Sequence, residues 1–115
     1  MTGETTTTEI YAVPVPVAGT YNKVNTLAIS LTVLNTDAAA QTFDAWIVPN
    51  SDTAPATNAW KIFEGESLEA GEHRVYSMGI MLPGVTGENS FGTKIWINPS
   101  DADMTFTFNG VEIHQ

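Results

Sequence analysis

The sequence predicts an all-β protein, a single antiparallel β-sandwich or jelly roll of seven to eight strands. Three observations predict it. In every long segment apolar residues alternate with polar ones at a period of two, where a helix would repeat them at three and four. Clusters of Pro, Gly, Asn and Asp punctuate these segments at intervals of roughly 10 to 15 residues. The only helix-compatible stretch, Asp37 to Gln41 with its three alanines, is too short to persist alone in water.

Each element follows from its own residues. Glu9 to Val13 reads as a first edge strand, closed by Pro14 and Pro16. From Leu27 the odd positions Leu27, Ile29, Leu31 and Val33 are apolar against Thr26, Ser30 and Thr32, which predicts a half-buried strand ended by Asn35-Thr36-Asp37. Phe43, Ala45 and Ile47 alternate with Thr42, Asp44 and Trp46 before Pro49-Asn50-Ser51-Asp52 stops the run. Trp60 to Glu64 gives a weaker strand. A turn at Glu69-Ala70-Gly71-Glu72 leads into His73 to Leu82, where Tyr76, Met78, Ile80 and Leu82 share a face. After a loop from Val85 to Gly92, Ile95 and Ile97 oppose Lys94, Trp96 and Asn98. The last strand sets Met104, Phe106 and Phe108 against Thr105 and Thr107, and past Asn109-Gly110 its apolar positions become Val111 and Ile113. One residue out of step predicts a β-bulge at the glycine, because a hairpin would have too short a return strand.

The chain has 115 residues, so it makes one domain with a core large enough to need no disulfide or metal staple. Residues 1–8 read as a flexible N-terminal arm and 9–115 as the sandwich domain. There is no cysteine, which removes disulfides, thiolate metal sites and cysteine nucleophiles together. Thirteen acids against four bases give a net charge of −9, the wrong sign for a phosphate backbone or an anionic membrane. Met1 to Thr8 has neither the basic cap nor the apolar stretch of a secretory signal, and Ile10 to Gly19 is too short and too proline-broken to span a bilayer. The expectation is a product that stays where it is made.

No catalytic set can be assembled from the residue types present. Gly65-Glu66-Ser67-Leu68-Glu69 has only half of a nucleophile elbow, and the second glycine and the following helix are missing. His73 and His114 are the only imidazoles, too few for a three-histidine metal centre. Glu64, Glu66, Glu69 and Glu72 form a carboxylate run that reads as a solvated strand edge discouraging edge pairing. Asp101-Ala102-Asp103 reads as a turn, lacking the glycine and terminal glutamate of an EF-hand loop. We therefore expect no enzyme, no cofactor and no metal. Trp46 and Trp96 fall opposite the core positions, and with Tyr11 they mark the expected interaction surface.

The order Ile10-Tyr11-Ala12-Val13-Pro14, Val33-Leu34-Asn35-Thr36-Asp37, Trp46-Ile47-Val48-Pro49, Ser67 to Glu72, Gly79-Ile80-Met81-Leu82 and Asn109 to Ile113 resembles small all-β virion proteins of tailed bacteriophages. These are capsid decoration or cement proteins and tail-associated accessory proteins. Here Val15 to Asn25 is longer than the short glycine turn of that pattern. The resemblance implies a non-enzymatic structural protein that binds and stabilises a shell in many copies. Its partners would be the major capsid protein or tail proteins of the same virion, together with copies of itself in a homo-oligomer, trimers included. Its place would be the virion, assembled in the host cytoplasm. The alternative readings are a tail-associated accessory protein and a carbohydrate-binding β-sandwich at a tail tip.

Overall fold

The computed structural model describes residues 8–14, 23–48, 60–84 and 92–114. They form seven strands and no helix: β1 (Thr8–Ala12), β2 (Val24–Asn35), β3 (Gln41–Val48), β4 (Trp60–Leu68), β5 (His73–Leu82), β6 (Lys94–Pro99) and β7 (Met104–His114). Two antiparallel sheets result, a four-stranded one in the order β1-β6-β3-β4 and a three-stranded one in the order β5-β2-β7. Every sequence-adjacent pair of strands except β3 and β4 lies in opposite sheets. The first strand begins at Thr8, inside the span expected to be an arm; residues 1–7 lie outside the described residues, as does most of the expected loop from Val85 to Gly92. Asp37 to Gln41 forms a bend leading into β3.

The inner faces pack as the alternation requires. Leu31, Val33, Phe43, Ala45, Leu68, Ile97, Met104 and Phe106 make one cluster, and Val13, Val24, Ala28, Leu82 and Ile95 a second. Phe43 stands at the centre of the first, edge-on to Phe106 at 5.3 Å, Tyr76 at 5.5 Å and Phe63 at 5.9 Å. Edge-to-face contacts of this kind add about 1 kcal/mol to what burial alone contributes.

At one end a single buried side chain fastens three segments, the end of β2, the bend after it and the end of β4. Asn35 closes β2, and its Nδ2 donates to the carbonyls of Ala39 (3.0 Å), Leu68 (3.1 Å) and Glu69 (3.1 Å) while its Oδ1 accepts from the Asp37 amide (3.0 Å). Its backbone exchanges bonds with the β4–β5 turn: Asn35 N donates to Glu72 O, and Gly71 N to Asn35 O. Thr36 reaches the neighbouring turn through two bonds to Asp103 O.

Two expectations about faces are corrected. Leu31 and Val33 are buried, but Leu27 is only half-buried and Ile29 is 39% exposed, because the inward positions of β2 run Val24, Thr26, Ala28 and then Leu31, Val33, Asn35. The change of step is a bulge. Ala28 pairs with Gly110 and Ser30 with Asn109, so Ile29 is an extra residue on β2. The bulge expected on β7 is thus opposite Asn109-Gly110 but inserted in β2. In β7 the inward parity never changes: Phe108 is followed inward by Gly110, Glu112 and His114, and Val111 and Ile113 face outward. Gly110 sits at the close approach, where an added Cβ would lie 2.8 Å from the Leu27 carbonyl oxygen. Across the other edge, Ala28 pairs with Ile80 and Ser30 with Ser77, so β5 is longer again and turns through Gly79 at φ +63°.

Candidate interaction surface

The structure separates the three residues expected to share a surface. Trp46 and Trp96 are direct cross-strand partners on the outer side of the four-stranded sheet. Trp46 is only 8% exposed, and the Lys61 ammonium stands 5.3 Å from its ring centre. The same ammonium lies 3.6 Å from Asp44 and 3.3 Å from Glu64. Trp96 is flanked by Glu9 on β1, and its buried indole N–H has no hydrogen-bond acceptor among the described residues. This outer face is therefore aromatic and charged together. The one strongly exposed tryptophan is Trp60, at 59%.

Tyr11 instead points between the sheets at the end away from Asn35. The Thr26 hydroxyl donates to its oxygen (2.6 Å), and the phenol donates to Glu112 Oε2 (2.8 Å). Its ring lies 4.7 Å from that of Phe108. Burial first, with help from the Glu112 carboxylate, pushes the phenol's pKa up to about 12. With Asn109 and Gly110 these groups line a cavity of about 370 Å³.

The remaining polar candidates stay apart. His73 pairs with Leu34 and His114 with Val24, at opposite ends of β2. Ser67 is exposed on β4 opposite Thr42. Asp37, Asp101 and Asp103 bring carboxylate oxygens within 4.8 Å of one another near the Asn35 end. Their bonds tie turns together: Asp37 Oδ2 accepts from Ala39 N and the Gln41 amide, and Asp101 Oδ1 from Asp103 N. The Gln41 amide, then the Ala39 amide, hold the Asp37 carboxyl below its ordinary range.

The surface that sequence reasoning missed is the outer face of the three-stranded sheet. Met81 (49% exposed), Leu27 and Val111 (51%) form one cross-strand row, flanked by Ile29 and Ile113; Val75 and Leu34 continue it toward the other end. Of the seven large exposed hydrophobic residues among the described ones, six lie here. Among the described residues, no Asp, Glu, Lys or Arg points outward from this sheet; its polar members are Asn, Ser and Thr with His73. The available signal was Gly79-Ile80-Met81-Leu82, apolar on both faces, followed by the out-of-step Val111 and Ile113. Compared with family models, curated proteins and solved structures, the chain matches none.

Proposed function

We propose that this chain is a non-enzymatic structural protein of a tailed-phage virion, a capsid decoration protein that binds the shell in many copies, with the major capsid protein as partner. The observation that carries the reading is the charge-free apolar face of the three-stranded sheet. In a molecule of net charge −9, such a face is a surface built to be covered by protein. Its counterpart is an acidic pole at the Asn35 end, formed by Asp37, Glu69, Glu72, Asp101 and Asp103, which suits the solvent side of a crowded shell. The resemblance in the order of strand ends and turns supplies the virion context. The interleaving of sequence neighbours between sheets supports a jelly-roll reading of the connections, as an incomplete version with seven strands.

Protein stoichiometry in purified particles tests this. Hundreds of copies per particle is the expected result, a dozen or fewer would move the protein to the tail, and absence from particles would reject the assignment. The Tyr11 cavity supports a second reading, glycan binding at a tail tip, since it joins aromatic rings to a carboxylate and an amide. Glycan titration that perturbs Tyr11 but leaves a Tyr11→Phe variant silent would favour it.

A further inference from the structure

We infer that the outer face of the three-stranded sheet is covered by a second copy of this chain, in a two-fold, sheet-on-sheet dimer. The inference rests on the reading that this face works by being covered; it gives the face to a second copy of the chain, so that the dimer would meet the shell through another surface.

Charge selects a copy of the same chain. Two molecules of net charge −9 repel wherever carboxylates meet, and the described outer faces differ in this respect. The four-stranded sheet presents the charged groups of Glu9, Asp44, Lys61 and Lys94, so a two-fold contact there would have to strip water from all of them. The three-stranded sheet presents none outward, and Met81, Leu27, Val111 and Ile113 are self-complementary because apolar contact has no sign. A partner selected by electrostatic attraction to this acidic protein would be basic, and it would find no carboxylate on this face.

Area is consistent with the same occupant. Three strands spaced about 4.8 Å apart and 10 to 12 residues long at about 3.4 Å per residue offer a footprint of about 500 Å². Two such faces bury about 1,000 Å² in all, at the threshold for a specific interface and below the standard size. A reversible dimer is the outcome. The bulge line through Ile29 and Gly79 raises local twist, and two right-twisted sheets pack face to face with their strands about 30° apart.

The test uses the full chain. Sedimentation between about 1 μM and about 1 mM should show mass rising from 12.4 kDa toward twice that value. Val111→Glu, at a half-exposed site, should hold the mass at the monomer value while leaving the melting transition in place. Val75→Glu, 61% exposed near the other end of the face, serves should the first variant fold poorly. Glu9→Lys, on the opposite sheet, should leave the dimer intact. A monomer at every concentration, or a dimer that survives both glutamate substitutions, overturns the inference. Monomers that still join particles would overturn it and leave the virion reading standing. A dimer broken by Val111→Glu but absent from particles would do the reverse.

Discussion

Asn35 has no exposed surface and serves three carbonyls and one amide from two other segments, so its side chain cannot be lost locally. Asn35→Ala leaves the buried Leu68 carbonyl without this donor and should cost about 2–4 kcal/mol in denaturant unfolding, with the m-value unchanged. Tyr11 makes a prediction about alkaline pH. Its pKa is about 12 in the folded protein against an ordinary 10.0. Below the ordinary value both states hold the proton and the contribution is complete; as pH rises from there toward the folded value, only the unfolded chain ionises, and stability falls. Tyr76, also raised by burial, acts in the same direction. Unfolding midpoints compared at about pH 9 and about pH 11 should therefore drop, and Tyr11→Phe should remove part of that drop. An undiminished drop would mean that Tyr11 is not the group responsible.

At the level of elements, the bulge line decides which apolar residues are core. Gly79 occupies a left-handed conformation inside β5 with no atom within 4 Å of an added Cβ, so Gly79→Ala tests strain and not crowding. It should destabilise by about 1–2 kcal/mol, read as a shift in thermal midpoint. The limits of sequence reading are plainest here. Period-two alternation, with the prolines that close β1, located the seven strands, and it gave the inward sets of β3, β5 and β6, because no inserted residue moves those apolar positions off a common face. It failed on β2, where Leu27, Ile29, Leu31 and Val33 look identical in kind, and a one-residue insertion opposite Asn109-Gly110 sends the first two outward. Nothing local distinguishes an apolar residue destined for a core from one destined for a surface. The pairing partner decides, and for β2 that partner lies at the other end of the chain. The same reason hid the candidate surface, whereas Trp46 and Trp96 were legible as outward positions but not their charged surroundings.

For the whole molecule, charge is sorted by place. Glu66 lies on β4, in the other sheet, and Glu69 in the turn after it at the Asn35 end, so neither belongs to the outer face of the three-stranded sheet. Reversing both, with Glu66→Lys and Glu69→Lys, should leave dimer mass and particle binding intact while raising the pI above its present value of about 4.2. Loss of particle binding in that variant would place the contact at the acidic end and refute the assignment of faces.

The interleaved strand order also governs when this protein can fold. Val24 pairs with His114 and Asn35 with Met104, and β1 must wait for β6. The central strand of the smaller sheet thus finds one neighbour only after β3 to β6 have been synthesised. Loop-closure entropy has to be met before those pairings return anything, which puts the protein among the slow, non-local folders that reach the native state in milliseconds to seconds. Until β7 arrives, β2 exposes an unpaired edge carrying Leu27 and Ile29, so a nascent or truncated chain is sticky where the finished one is merely apolar.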